Sequence, residues 1–235
     1  TFLNDDDLKL IHVLLAETKL TISIGQETSN IETIIGTPQG DSLSPVLFTI
    51  YLEGALRELR DEIKTSATAP RELAYADDVD FIFDSKIEAE NNIETITRIL
   101  KTWNLQVNVS KTEYTEVKKE ETTWRSTRKL GTLLGEAEEL LRRKQLAIAA
   151  FRNMQSIFIR RHKISEKRRI RLYNALVLPV LTYNCGTWAL TEQQTQAIDA
   201  FHRKQLRILL GIFYPEKISN SDLYKRCNAE PLNKF

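Results

Sequence analysis

Residues Leu73–Phe83 read LAYADDVDFIF, two apolar arms around the acidic pair Asp77-Asp78. β-forming arms joined by turn-forming aspartates predict a tight β-hairpin that exposes both carboxylates at its tip. Like charges held that close repel and raise each other's pKa unless something offsets them. Hard divalent cations do so through oxygen, and Mg²⁺ favours one or two carboxylates plus substrate phosphates. Taken alone, the pattern fits a solvated Asp-Asp turn equally well, because Asp is common in turns. Asp80 reads as a polar strand position and Tyr75 as a cross-strand aromatic.

A second segment, Gly36–Pro45 (GTPQGDSLSP), lies upstream. Two Gly and two Pro punctuate it as a loop. Ser44 can cap the following helix, and Pro45 suits its first turn. GTPQGDSLSP followed by YADD, in this order and at this separation, resembles the reverse transcriptases, in particular the non-LTR (LINE-type) retrotransposon branch. The resemblance continues through Asn104–Glu113 (NLQVNVSKTE), Lys129–Gly135 (KLGTLLG) and Leu172–Leu190 (LYNALVLPVLTYNCGTWAL), and so covers most of the chain.

The resemblance implies an α+β fold. Residues 1–135 would form a partial polymerase palm, an antiparallel sheet with helices. Residues 136–235 would form a helical thumb and C-terminal extension. It implies an RNA-directed DNA polymerase that uses Mg²⁺ (or Mn²⁺), an RNA template, a DNA primer and dNTPs, inside the cell and in the nucleus. Asp77 would ligate the metals directly and Asp78 would play a weaker part. Pro38, Gln39, Gly40 and Tyr75 would lie near the incoming nucleotide, the template and the primer terminus; a Gly lets backbone approach a base pair closely. Lys111 matches the Lys of the family's NxxKT and would meet the departing pyrophosphate. An exposed strand-end Lys is the plainer alternative. Leu130 and Gly131 match the primer-gripping hairpin, or else form a Gly-containing edge strand.

The family's third metal carboxylate belongs to a strand motif upstream of the PQG loop. The acids ahead of that loop here are Asp5, Asp6, Asp7, Glu17, Glu27 and Glu32. Asp5–Asp7 open an amphipathic helix, where acids interact favourably with the dipole, and lack a strand-like flank. The expectation is that the chain begins after that motif, without the upstream palm and fingers segment of the same polypeptide. The isolated chain would then be inactive. Its unpaired hairpin edge, with Phe81 and Phe83 exposed, would drive self-association. Two other readings stand beside this one. RNA-dependent RNA polymerases share the palm but usually carry Gly where this chain has Tyr75-Ala76. A decayed, non-catalytic nucleic-acid-binding remnant would keep the fold alone.

These residues must be positioned by the rest of a 235-residue chain with a formal net charge of +1. The near-neutral total hides an asymmetry: residues 1–100 hold 8 Lys/Arg against 19 Asp/Glu, and residues 101–235 hold 25 against 13. A basic block spans Arg142, Arg143, Lys144, Arg160, Arg161, Lys163, Lys167, Arg168, Arg169 and Arg171. Beside an acidic catalytic segment it points to a bound polyanion, although charge runs are often only a solvated face. No apolar run reaches membrane-spanning length. Cys185 and Cys227 are far apart and read as buried or free thiols.

Periodicity predicts helices over 6–17, 45–63, 86–103, 136–161, 165–178, 191–210 and 220–227. Strands are expected at 20–24 and 31–35, at 105–109 and 112–117, and at 128–134, besides the YADD hairpin.

Overall fold

The computed structural model describes residues 4–16, 19–32, 36–37, 40–63, 72–156 and 164–232. It comprises two compact units, residues 1–113 and 114–235.

In the first unit, helix α1 (Asp5–Leu15) starts at an Asn4 cap. The Asn4 side chain accepts from the Asp6 and Asp7 amides at 3.0 and 2.8 Å, and the Asp7 carboxylate accepts from the Asn4 amide at 3.1 Å. Asp7, the last of the acidic run, therefore closes a capping box with Asn4. Strands β1 (Lys19–Ile24) and β2 (Glu27–Glu32) pair antiparallel around Gly25-Gln26. The second strand forms earlier than the expected 31–35, and residues 33–35 lie outside the described residues.

Helices α2 (Ser44–Glu62) and α3 (Lys86–Thr102) carry the core of this unit. Leu52, Leu56, Leu59, Ile96 and Ile99 are buried, with Phe48, Val79, Phe81, Phe83, Leu100 and Trp103 packed against them. Ser44 is the first residue of α2 rather than its cap. Leu43 holds the cap position without a side-chain bond, while Pro45 occupies the first turn as expected. The Trp103 ring lies over Gly54 so closely that a Cβ there would stand 2.7 Å from it. Trp103 is fixed by its indole N–H to Glu58 (2.7 Å) and by the Tyr51 hydroxyl donating to its carbonyl (2.6 Å).

The second unit holds a short 3₁₀ turn (Thr123–Ser126), strands β5 (Arg128–Lys129) and β6 (Thr132–Leu133), and helices α4 (Glu136–Asn153), α5 (Glu166–Leu176), α6 (Leu178–Leu181), α7 (Glu192–Leu210) and α8 (Asn220–Cys227). Its core includes Leu140, Ala147 and Phe151 of α4, Tyr173 of α5, and Ile198, Leu206 and Leu209 of α7. Leu223 and Cys227 of α8 complete that surface. A Thr191–Gln194 capping box starts α7, and Gly211, at φ 73°, ends it as a left-handed helix stop does. His202 is buried among aromatic rings: its Nδ1 lies 2.9 Å from the Tyr173 hydroxyl, and its ring stacks with Tyr173 and Tyr224. Cys185 and Cys227 are free thiols.

The α+β class is as expected. Among the described residues, each sheet is a two-stranded hairpin. The strands expected at 105–109 and 112–117 do not form: these residues join no ladder, and Val109, Tyr114 and Val117 are exposed. Alternation alone does not make a strand without a partner to hydrogen-bond. Helix α4 ends at Asn153, short of the expected 161, and residues 157–163 lie outside the described residues. Among the described residues no helix is long and apolar enough to cross a membrane.

Candidate active site

Strands β3 (Glu72–Tyr75) and β4 (Asp78–Phe81) form the YADD hairpin, in the register Glu72↔Phe81, Leu73↔Asp80, Ala74↔Val79 and Tyr75↔Asp78. Directly paired residues share a face. Val79 and Phe81 therefore point into the α2–α3 core, opposite Ala74 and Glu72, and Phe83 follows them inward. The expectation of exposed Phe81 and Phe83 is thereby corrected: apolar burial against α2 and α3 claims them. The other face carries Leu73, Tyr75, Asp78 and Asp80, with Leu73 and Tyr75 exposed.

A two-residue turn, Ala76-Asp77, closes the hairpin. Ala76 has φ 52°, a left-handed conformation that a two-residue hairpin turn demands and that Gly or Asn usually supplies. Asp77 thus stands on the turn itself and Asp78 opens β4. Both carboxylates are exposed, and among the described residues neither has a hydrogen-bond or ion-pair partner.

The hairpin is tied to α2 by charge. Arg60 of α2 donates through Nε to Glu72 of β3 and through both terminal nitrogens to Glu53, each at 3.0 Å. Hydrogen bonds from Arg60 and then Arg57 hold the Glu53 carboxyl down at about 2, and its two carboxylate partners push the Arg60 guanidinium up.

Gly40 is exposed at φ 93°, a conformation open to Gly and strained for other residues. Pro38 and Gln39 lie outside the described residues. Lys111 is exposed on a turn, its amide donating to the Asn108 carbonyl at 3.0 Å, rather than at a strand end. The described residues contain no group of three or more His, Cys, Asp or Glu that could hold a metal. Asp77 and Asp78 fit a hard cation as two adjacent, accessible oxygen donors.

In the second unit, Leu130 (φ 48°) and Gly131 (φ 78°) form the turn of the β5–β6 hairpin, both left-handed as in a type I′ turn. Its carbonyls are taken by side chains. Arg142 and Arg143 donate to the Gly131 carbonyl, the former at 3.1 Å, and the Tyr183 hydroxyl donates to the Leu130 carbonyl at 3.1 Å. Asn184 donates to the Thr132 hydroxyl at 3.0 Å, and the Leu133 amide donates to Glu139 at 2.9 Å. Glu139 and Arg143 form a buried ion pair on successive turns of α4, and the Arg143 guanidinium lies 4.3 Å from the Tyr183 ring centroid.

The basic block therefore divides. Arg143 and Arg169 are buried, and Arg169 donates to the Leu209 carbonyl. Both serve internal acceptors, so the expectation that they contact phosphates is corrected by their burial. Arg142 is half-buried on the turn, and Lys144 is half-buried, its pKa lowered by desolvation. Lys167, Arg168 and Arg171 are exposed on α5, while Arg160, Arg161 and Lys163 lie outside the described residues. The holders of the turn, Glu139, Tyr183 and Asn184, were missed in the sequence. The Glu139/Arg143 spacing of four was their one visible signal.

Residues 5–135, more than half of the chain, match the family described as Reverse transcriptase (RNA-dependent DNA polymerase). Over 91 residues the chain is 34% identical to a Retrovirus-related Pol polyprotein from type-1 retrotransposable element R2 of Popillia japonica. That segment covers 37% of this chain and 15% of that relative. No solved structure matches. The retrotransposon relative agrees with the expected non-LTR branch, and the family match, which spans the YADD hairpin, places this chain among the reverse transcriptases.

Proposed function

We propose that the chain carries the metal-binding hairpin and the primer-holding turn of a non-LTR RNA-directed DNA polymerase. The observation that carries this is the accessible Asp77-Asp78 pair at the tip of a hairpin anchored to α2, in a member of the reverse-transcriptase family. Residues 1–135 are the partial palm and residues 136–235 the thumb. The ligands are an RNA template, a DNA primer and dNTPs, in the nucleus.

Asp77 is the direct metal ligand and Asp78 its weaker companion. Mg²⁺ or Mn²⁺ held there supplies charge neutralisation at the transferred phosphate and activation of the attacking hydroxyl. The family's third carboxylate would come from upstream palm and fingers sequence of the same polypeptide. Pro38, Gln39, Gly40 and Tyr75 border the nucleotide and template. Lys111 offers a cation to the leaving pyrophosphate, and Leu130 and Gly131 meet the primer. Lys167, Arg168 and Arg171, with Arg160, Arg161 and Lys163, are the candidates for backbone phosphates.

Primer extension on an RNA template tests the reading, with the upstream segment supplied in the same chain or in trans. Asp77→Asn keeps the side-chain shape and removes the charge, and should abolish extension; Asp80→Asn should leave most of it. Extension that survives Asp77→Asn rejects the metal assignment. NTPs competing as well as dNTPs would indicate an RNA polymerase. Hybrid binding without any extension by the completed, unsubstituted chain would indicate a binding remnant.

A further inference from the structure

The β5–β6 turn is held far more firmly than a two-residue connection requires. Five side chains from α4 and from Tyr183-Asn184 converge on it, two of them through a buried ion pair. Their cationic groups face inward: Arg142 and Arg143 both end on the Gly131 carbonyl. What the turn presents outward is Leu130, half exposed, in a left-handed conformation that disfavours a branched apolar residue. Such strain persists only where the surroundings over-determine it.

We propose that Tyr183 is a positioning residue. Its hydroxyl on the Leu130 carbonyl and its ring under Arg143 fix Leu130 as an uncharged contact for the sugar or base face of the primer's end. This rests on the reading of the turn as a primer contact. Tyr183 is suited to the task because it touches both turn residues. Its hydroxyl holds Leu130, and a Cβ at Gly131 would come within 3.2 Å of that same oxygen. Because the contact is apolar, it releases no counterions and adds nothing to the salt dependence of binding.

The test measures affinity of the full chain for an RNA–DNA hybrid with a recessed primer 3′ end and for single-stranded RNA, across a salt series. Tyr183→Phe removes one hydrogen bond and keeps the ring. It should weaken hybrid binding about three- to tenfold, the fold-change that one net hydrogen bond represents. The salt slope and the affinity for single-stranded RNA should stay as they are, with binding measured well below the unfolding midpoint, which the lost hydrogen bond lowers by a few degrees. Leu130→Ala should give the same pattern. If Leu130→Ala weakens the hybrid and Tyr183→Phe does not, the positioning role is overturned and the primer contact stands. A loss shared equally by single-stranded RNA, or a variant already partly unfolded at the binding temperature, also overturns it. If Leu130→Ala changes nothing, or the unmodified chain does not bind the hybrid, the primer reading fails and the proposal with it.

Discussion

Ala76 is the residue at which chemistry and conformation collide. A left-handed alanine costs about 1–2 kcal/mol, and the two-residue turn leaves it no other conformation. Ala76→Gly should therefore stabilise the first unit by about 0.5–1 kcal/mol, after the extra entropy of an unfolded glycine is subtracted. Urea unfolding followed by circular dichroism would show it, and an unchanged or lower midpoint would contradict the strain. The Asp77-Asp78 pair was legible in the sequence because apolar arms and turn formers leave few alternatives. The strain beside it was not, since φ is invisible in a residue type. Lys111 illustrates the same limit: the motif located it, but alternation pointed to flanking strands where the chain instead makes a local turn back to the Asn108 carbonyl.

Among the elements, the helices were the most legible, because a 3.6-residue apolar period needs nothing distant to declare it. The unformed strands at 105–109 and 112–117 show the converse. The basic block shows that charge in sequence does not say which face a residue takes. Arg168 and Arg169 are neighbours, yet one is exposed and the other buried against α7. Arg168→Ala should leave stability within about 0.5 kcal/mol. Arg169→Ala should cost about 1–3 kcal/mol by leaving the Leu209 carbonyl without that donor. Parallel thermal melts decide between them. In the other unit, Gly54 of α2 is the seat of the Trp103 ring, just past the end of α3. Gly54→Ala would displace Trp103 and should cost about 1–3 kcal/mol as overpacking, visible in unfolding curves and in the loss of a shielded indole signal.

At the scale of the whole molecule, acid should act on both units through separate groups. Burial holds His202 down at about 4, below its ordinary 6.5. Its contribution is therefore complete above pH 6.5 and is lost as the pH falls toward 4, because the unfolded chain takes up the proton first. The slope is about 1.4 kcal/mol per pH unit in that window. Glu53, held at about 2 by Arg60 and Arg57, contributes above pH 4.5, and that contribution is lost as the pH falls through 2. Unfolding midpoints at pH 7 and pH 5 should differ, and His202→Gln should narrow the difference; an equal difference in the variant would acquit the histidine. The family match and the compact units divide the chain at different places. The match ends at residue 135, whereas the first unit ends at Glu113. A gene cut at the homology boundary would express the β5–β6 hairpin stripped of Glu139, Arg142, Arg143, Tyr183 and Asn184, with its turn carbonyls bare. A cut after Glu113 would leave that hairpin on the same polypeptide as its holders, so excision of either half is better guided by contacts than by kinship.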